Sequence, residues 1–203
     1  MIAIIDYDAG NLKSVEKALQ FLGQECVITR AFHEIKKADK VILPGVGSFG
    51  DAMSQLKKFE LDKVIHEVAA EQKPFLGICL GLQLLFEGSE ESEGVEGLHL
   101  LDGEILRIPE QEGLKIPNIG WNSLDLQNNG RLFQNLEGSP FVYFVHSYYF
   151  LRNASTSFFT SPPSASPLTL PITAPMSLPM FCIPPSIFRS AATPAITSRS
   201  FSA

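Results

Sequence analysis

The sequence is short of basic residues and of cysteine. Its 203 residues include 16 lysines and arginines against 22 aspartates and glutamates, for a net charge of −6. Proteins that bind nucleic acid need clustered basic side chains against the phosphates, so this balance argues against such a partner. The three cysteines are Cys26, Cys79 and Cys182, and no two have the C-x-x-C spacing. This pattern suggests neither a disulfide framework nor a zinc site, and we expect no metal.

The sequence also has no apolar run long enough to span a bilayer. Met1 is not followed by the basic and then apolar segment of a signal peptide. We therefore expect no membrane partner and a cytoplasmic location, where cysteines stay reduced. The length fits one α/β domain, or one domain with an appendage.

The C-terminal quarter lacks whole classes of residue. Residues 151–203 contain no Gly, Asp, Glu, Lys or His, and nine of the 14 prolines fall there. So much proline prevents long helices and central strands. A Ser/Pro-rich linker or disordered tail is one interpretation, although disordered tails usually carry more charge and fewer apolar residues. We predict a domain over residues 1–150 and a disordered, Ser/Pro-rich tail over residues 151–203.

Short apolar runs alternate with helical patterns in the first half of the chain. Three of these runs have the length of buried strands: 1–5, 26–28 and 41–43. Strands that are apolar on both faces and alternate with helices predict a mostly parallel sheet with helices on both faces. Three later runs follow one another without helices: 100–108, 119–126 and 141–146. They predict an antiparallel β segment.

The stretch 73–88 carries the strongest chemical signal. A short apolar run predicts a buried strand, Cys79 follows it between Gly77 and Gly81, and helix-forming residues come next. The spacing Gly-x-Cys-x-Gly on a strand–turn–helix is the thiol form of a nucleophile elbow. A sulfur near a helix N-terminus is expected to favour the thiolate. The alternative is a small apolar cysteine in the core. The two flanking glycines, which packing does not require, favour the catalytic interpretation.

A glycine-rich loop over residues 44–50 follows the third predicted strand. Ligands bind at the carboxyl ends of parallel strands, so this loop and Cys79 are expected to face one crevice. Its backbone N–H groups can stabilise the oxyanion that forms when a thiolate attacks a carbonyl. A phosphate cradle is a weaker alternative because neither a Gly-Lys-Ser/Thr ending nor Gly-x-Gly-x-x-Gly is present. A plain structural loop is a third possibility.

Five stretches together resemble the class I glutamine amidotransferases. They are Ile-Asp-Tyr-Asp-Ala-Gly-Asn-Leu from residue 5, Leu-Pro-Gly-Val-Gly from 43, Gly-Ile-Cys-Leu-Gly-Leu-Gln from 77, Pro-Asn-Ile-Gly-Trp-Asn from 117 and Phe-Val-His-Ser-Tyr from 144. The elbow alone indicates only the superfamily. The first stretch and the last two resemble, more narrowly, the glutaminase subunits of imidazole glycerol phosphate synthase in histidine biosynthesis. The resemblance runs over residues 1–150 and implies a flavodoxin-like fold.

The resemblance also implies roles for individual residues. Cys79 would attack the side-chain amide of glutamine, release ammonia and form a thioester that water hydrolyses. Gly45 and Val46 would belong to the oxyanion loop. The residues that contact glutamine would be Gly47, Gln83, Glu91, Ser147 and Tyr148. No cofactor and no metal are implied.

A partner subunit is implied as well. The ammonia would pass to a (β/α)₈ cyclase that forms a heterodimer with the glutaminase. The cyclase would join it to a phosphorylated ribulosyl intermediate to give imidazole glycerol phosphate and aminoimidazole carboxamide ribotide. Residues 118–122 and Tyr143 would lie near this partner.

The resemblance breaks at the base of the catalytic triad. The family carries its histidine and the glutamate that orients it in a Phe-His-Pro-Glu segment near the C-terminus. The histidines here are His33, His66, His99 and His146, and the last belongs to the matching Phe-Val-His-Ser-Tyr stretch. We hypothesise a reading-frame change near residue 150 that leaves the C-terminal part of the fold missing or disordered. Low or absent activity and marginal stability would follow.

Two other functions are left open. One is a catalytically dead, truncated version that keeps part of the fold and the partner surface. The other is a different thiol hydrolase on a flavodoxin-like scaffold, against which Gln83 and the stretch around Trp121 argue.

Overall fold

The computed structural model describes residues 1–113, 115–126, 141–151 and 196–199. A four-stranded parallel sheet forms its centre. The strands are β1 (Ile2–Ile5), β2 (Cys26–Thr29), β3 (Lys40–Gly45) and β4 (Phe75–Cys79), in the order β2-β1-β3-β4. This is the strand order of the flavodoxin-like doubly wound fold. The predicted parallel sheet is confirmed.

Within the described residues, five helices accompany the sheet: α1 (Leu12–Phe21), α2 (Phe32–Lys37), α3 (Phe49–Lys58), α4 (Leu61–Ala70) and α5 (Leu80–Gln83). The helix α4 packs against both α2 and α3. Ala3, Ile5, Val41 and Leu43 belong to the same buried cluster as the inner faces of these helices. The alternate residue Ile4 is also fully buried, as expected for a parallel sheet covered on both faces.

The helix after the elbow is shorter than the sequence predicts. It ends at Gln83, and Leu84, Leu85 and Phe86 continue as a turn although all three are buried. The carbonyl of Leu84 accepts from the N–H of Leu98, and that of Leu85 from the N–H of Leu100. These long-range bonds replace the next helical turn, which local helix propensity does not reveal.

The remaining strands form two smaller sheets. They are β5 (Gly88–Ser89), β6 (Glu104–Arg107), β7 (Asn118–Leu126), β8 (Phe141–His146), β9 (Tyr148–Leu151) and β10 (Ile196–Arg199). β7 pairs antiparallel with β8 and β10, and β6 pairs antiparallel with β9 and parallel with β5. The antiparallel β segment is confirmed, but residues 100–103 form bends instead of the start of a strand.

The predicted two-part organisation is only partly visible. Leu151, which the sequence assigned to the tail, ends β9, and Ile196–Arg199 form the edge strand β10. The rest of the tail lies outside the described residues. Disorder of the tail therefore stays a prediction.

Two surfaces carry exposed apolar side chains. The helix α1 has no fully buried residue, and the ring of Phe21 at its end is 90% exposed. The pair β7–β8 has one buried face, with Phe144 and His146, and one exposed apolar face. The members of this exposed face are Ile119, Trp121, Phe141, Tyr143 and Val145. We call it the hairpin face.

Candidate active site

Cys79 occupies the sharp turn between β4 and α5. Its backbone has φ 54° and ψ −120°, a conformation that residues with a side chain rarely adopt. The strand β4 ends at Cys79, and α5 begins at the next residue. The residue is partly buried. This is the strand–turn–helix geometry of the elbow that the glycine spacing predicts.

Gly81 lets the elbow pack against the neighbouring strand. A Cβ atom at this position would lie 1.9 Å from the carbonyl oxygen of Leu43 on β3 and 3.0 Å from the carbonyl carbon of Pro44. Backbone atoms at such a distance cannot move aside as a flexible side chain can, so only glycine fits. The close approach of α5 to β3 therefore requires this glycine, and a Cβ at Gly77 would likewise lie 2.5 Å from the Cα of Leu82. The expectation that packing does not require the two flanking glycines is wrong.

The glycine-rich loop begins directly beside the cysteine. Gly45 is the register partner of Cys79 in the parallel β3–β4 ladder. β3 ends at Gly45, so Val46 is the first residue beyond the ladder, and its side chain is 53% exposed. Gly47 follows with φ +97°, a left-handed conformation that favours glycine. The predicted convergence of the loop and Cys79 at the carboxyl edge of the sheet is confirmed.

One residue of this edge was not singled out by the sequence. Tyr7 follows β1, is fully buried, and donates a hydrogen bond of 2.9 Å from its hydroxyl to the carbonyl oxygen of Pro44. Burial is the main cause that raises the pKa of Tyr7 above its ordinary range, and the negative charge of a Cys79 thiolate adds to it. A tyrosine directly after the first buried strand was the signal that could have identified it.

The far end of the loop is held by residues 87–97, an acidic segment that contains five glutamates. Glu91 Oε2 accepts a hydrogen bond of 2.8 Å from the N–H of Phe49, and Ser92 Oγ accepts one of 2.9 Å from the N–H of Gly50. Ser48 caps the same helix by accepting from the N–H of Asp51. Two side chains distant in sequence thus satisfy the first N–H groups of α3.

The other predicted substrate-binding residues lie on three elements. Gln83 is at the end of α5, one helical turn after Cys79, and is 9% exposed. Ser147 and Tyr148 lie where β8 passes into β9. The carbonyl of Ser147 accepts from the N–H of Ile108, and that of Tyr148 bonds to Nδ1 of His146. Contact of these residues with glutamine stays a prediction.

The electrostatics of Cys79 differ from the sequence prediction. Burial raises the pKa of the Cys79 thiol above its ordinary value, and the N–H of Leu80 lowers it by a smaller amount. The expectation that the elbow itself favours the thiolate is therefore wrong. A helix of four residues supplies one useful N–H group, which does not offset the loss of water around the sulfur.

The four histidines of the chain differ in burial. His33, His66 and His99 are exposed. His146 is 6% exposed, with Nε2 2.8 Å from Asn118 Nδ2 and Nδ1 3.0 Å from the carbonyl oxygen of Tyr148. Burial lowers the pKa of His146, so its ring is neutral at physiological pH, accepts from the amide and donates to the carbonyl. This histidine joins β7, β8 and β9.

Two features are absent from the part of the chain that the structure describes. Among these residues, no cluster of three or more His, Cys, Asp or Glu side chains has the arrangement needed for a metal ion. No helix within the same ranges has the length and apolar character needed to cross a bilayer.

Comparisons with known proteins agree with this geometry. Residues 3–161 match the family "Glutamine amidotransferase class-I". The imidazole glycerol phosphate synthase subunit HisH of Oceanobacillus iheyensis is 52% identical over 148 residues, 73% of each chain. The HisH subunits of Listeria monocytogenes and Bacillus thuringiensis are 48% identical over 149 residues and 50% identical over 151. Each of these matches covers 73% of this chain, and 71% and 70% of the respective relative.

Solved structures support the fold independently. A crystal structure of a glutamine amidotransferase superposes with a TM-score of 0.59 at 17% identity and covers 75% of both chains. PurLQS from Thermotoga maritima superposes with a TM-score of 0.54 at 22% identity and covers 75% of this chain and 69% of its own. The chain therefore belongs to the class-I glutamine amidotransferases and, within them, to the family of imidazole glycerol phosphate synthase subunit HisH.

Proposed function

We propose that this chain is a cytoplasmic glutaminase subunit that hydrolyses glutamine to glutamate and ammonia. The observation that carries the proposal is the position of Cys79, at positive φ on the elbow and in register with Gly45 at the start of the glycine loop. A nucleophile and a set of backbone N–H donors on one sheet edge are the two requirements of acyl transfer. The match to the family "Glutamine amidotransferase class-I" supports glutamine as the substrate.

The reaction begins with attack of the Cys79 sulfur on the side-chain amide carbon of glutamine. The new C–S bond pushes the carbonyl electrons onto oxygen, and the loop that includes Gly45 and Val46 faces this oxyanion. Collapse breaks the C–N bond, the nitrogen leaves as ammonia after it gains a proton, and water then hydrolyses the thioester to glutamate. Gly47, Gln83, Glu91 and the backbone of Ser147 and Tyr148 hold the substrate.

Proton transfer is the step of the reaction that we expect to be slow in this chain. The raised pKa of the Cys79 thiol makes an added base necessary, and the chain has no histidine after residue 146. A positioned base or acid contributes roughly 10²–10⁴-fold to such reactions. We therefore expect glutamine turnover lower than that of a complete HisH subunit by roughly this factor. The geometry for nucleophilic attack remains.

A cyclase partner is the proposed receiver of the ammonia. The relatives are named subunits of imidazole glycerol phosphate synthase, and the hairpin face exposes five large apolar side chains on one side of β7–β8. A contiguous exposed apolar face is typical of an interface, and tryptophan and tyrosine are common at its centre. We place a (β/α)₈ cyclase on this face, in a heterodimer that makes imidazole glycerol phosphate and aminoimidazole carboxamide ribotide.

A reading-frame change remains our explanation for the tail. The similarity to HisH of Oceanobacillus iheyensis spans 148 residues, about the length that precedes the change in composition at residue 151. The remaining share of that relative has no match in this chain, although the class-I family match extends to residue 161. Sequencing of the coding DNA tests the hypothesis. A shifted frame after residue 150 should encode a His-Pro-Glu segment, and its absence would refute the idea.

The central experiment measures ammonia release from glutamine with the cyclase present. Four proteins are compared: the full chain, a chimera in which the C-terminal segment of the Oceanobacillus iheyensis subunit replaces residues 151–203, and the Cys79→Ala variant of each. We expect the chimera to be the fastest, the full chain to be slower by roughly 10²–10⁴-fold, and Cys79→Ala to show the background rate. A chimera no faster than its own Cys79→Ala variant would refute the glutaminase proposal.

Partner binding is tested by titration with the cyclase. Trp121→Ala removes the most exposed large side chain of the hairpin face, and Phe21→Ala, on α1, is the matched control at another exposed aromatic. An interface hot spot costs roughly 2 kcal/mol or more when truncated. We expect Trp121→Ala to weaken the complex at least tenfold and Phe21→Ala to leave it unchanged. Equal affinities of the two variants for the cyclase would show that the interface does not include the hairpin face.

A further inference from the structure

The hydroxyl of Tyr7 binds β3 just beyond the point where the β1–β3 ladder ends. The last register pair of that ladder is Ile4 with Ile42, so the carbonyl of Pro44 lies beyond it. Tyr7 donates to this carbonyl at 2.9 Å from a side chain with no solvent exposure. Proline has no N–H of its own, so the carbonyl is the one polar backbone group by which Pro44 can be held.

This bond holds the peptide group that precedes the oxyanion loop. A peptide is planar, so a fixed Pro44 carbonyl also fixes the N–H of Gly45 on its opposite side. Along β3 the backbone groups alternate between neighbouring strands, and the N–H of Val41 bonds to the carbonyl of Pro74 on the β4 side. Gly45 lies four residues after Val41, an even number, so its backbone groups point to the same neighbouring strand. That strand is β4, on which Gly45 pairs with Cys79.

Tyr7 is itself held firmly. Arg30 bridges the carboxylates on either side of it, with one nitrogen 2.7 Å from Asp6 Oδ2 and 2.5 Å from Asp8 Oδ1. The N–H of Asp8 also bonds to Asp6 Oδ1 at 3.1 Å. The guanidinium of Arg30 stacks on the ring of Phe59, with Cζ 4.3 Å from the ring centroid. These contacts hold residues 6–8 in one conformation and therefore fix the position of the Tyr7 hydroxyl.

The segment between Gly45 and Ser48 is thus anchored at both ends. Upstream, Tyr7 holds the Pro44 carbonyl, and downstream Glu91 holds the N–H of Phe49. Between them lie Val46, the first residue outside the ladder, and Gly47 at positive φ. The backbone can therefore change conformation only between these two anchors, which limits how far the Val46 N–H can turn.

We propose that Tyr7 is a positioning residue of the glutaminase reaction: its hydroxyl anchors the Pro44–Gly45 peptide and thereby sets where the Val46 N–H meets the oxyanion formed by Cys79. This inference rests on the proposed function. Tyr7 does not touch the substrate and acts through the loop. Because the phenol keeps its proton throughout the working pH range, it remains a donor at all times.

The test compares two reagents that attack the same sulfur. Displacement of chloride from a chloromethyl ketone analogue of glutamine forms a C–S bond while negative charge builds on the neighbouring carbonyl oxygen. Iodoacetamide also forms a C–S bond, with iodide leaving, but it lacks the amino-acid group that seats a carbonyl against the loop. The rate constants for both reagents at Cys79 are measured by mass spectrometry in the full chain, in Tyr7→Phe and in Tyr149→Phe. Tyr149, on β9, is the matched control for loss of a phenol hydroxyl.

Tyr7→Phe is expected to slow the ketone reaction about tenfold, less than the loss of a whole oxyanion donor, and to leave the iodoacetamide rate unchanged. Tyr149→Phe should change neither. An unchanged ketone rate in Tyr7→Phe, or an equal fall for both reagents, would overturn the positioning role. If the unmodified chain reacts no faster with the glutamine analogue than with a chloromethyl ketone lacking the amino-acid group, the glutaminase proposal itself fails, and this inference with it.

Discussion

Glu91 Oε2 accepts a hydrogen bond of 2.8 Å from the N–H of Phe49, at the first turn of α3. The family resemblance assigned Glu91 to glutamine. In this structure one of its oxygens also supports the helix that follows the oxyanion loop. A carboxylate at a helix N-terminus is favourable for both its hydrogen bonds and its charge. We therefore expect loss of Glu91 to affect both the stability of the fold and the affinity for glutamine, and each is measured separately.

Glu91→Ala should lower the free energy of unfolding by about 1–3 kcal/mol, because the buried N–H of Phe49 loses its acceptor. Glu91→Gln keeps an acceptor oxygen and should cost less than about 1 kcal/mol. Urea unfolding of both variants measures this difference, and Glu93→Ala, at an exposed site of the same segment, is the control. Equal losses in Glu91→Ala and Glu93→Ala would contradict the anchoring role.

Glutamine affinity should respond differently to the same two variants. Glu91→Gln and Glu91→Ala both remove the negative charge of Glu91, which we expect to attract the α-ammonium group of bound glutamine. Calorimetry in a Cys79→Ala background, where glutamine is not consumed, should show both variants weakened by about tenfold, the order expected for one charged hydrogen bond. Unchanged affinity in Glu91→Gln would leave Glu91 with the structural role alone.

Gly81→Ala should prevent the elbow from packing. The new methyl group would sit 1.9 Å from the carbonyl oxygen of Leu43, so β3 or α5 must move. Overpacking against rigid backbone costs about 3 kcal/mol or more. Gly88→Ala is the matched control, since the nearest atom to its Cβ is 3.7 Å away. Denaturation midpoints that fall equally in the two variants would show that the elbow is less tightly packed than the structure indicates.

Alkylation of Cys79 should require alkaline pH. Because burial raises the thiol pKa, the reactive thiolate is a small fraction at neutral pH and grows only above the ordinary cysteine pKa of about 8.5. Iodoacetamide rates across pH, with the Cys79→Ala profile subtracted, give the midpoint. In the chimera with a complete C-terminal segment, a histidine base should shift it downward. A plateau already reached below neutrality in the full chain would contradict the raised pKa.

Protonation of His146 should destabilise the fold. Its pKa is lowered by burial, so the folded state binds fewer protons than the unfolded chain in the window between the lowered pKa and the ordinary value of about 6.5. Stability is thus highest above that ordinary value and is lost as the pH falls through the window. His146→Gln should be less stable near neutrality and less sensitive to acid. Urea unfolding at both ends of the window tests this, and identical pH slopes for the two proteins would refute it.

Much of this protein was predictable because its signals are local. Short apolar runs bounded by turn residues indicated the four parallel strands, and Gly-x-Cys-x-Gly placed Cys79 on a strand–turn–helix. The elbow prediction succeeded because a positive φ and a close helix approach restrict the residues that can flank the cysteine. The family followed from five stretches in order. The absence of a histidine after residue 146 is likewise a property of the sequence alone.

Other features depend on contacts between distant segments. The bond from Tyr7 to Pro44, the anchoring of Phe49 by Glu91 and the early end of α5 all join residues that no local pattern relates. The direction of the pKa shift of Cys79 was mispredicted for the same reason. A helix N-terminus is visible in the sequence, but the desolvation that outweighs it comes from the packing around the sulfur. The residue types and the reaction class were determined by the sequence. The orientation of the loop and the protonation of the nucleophile were decided by tertiary structure, because hydrogen bonding and solvent exclusion arise only when the strands meet.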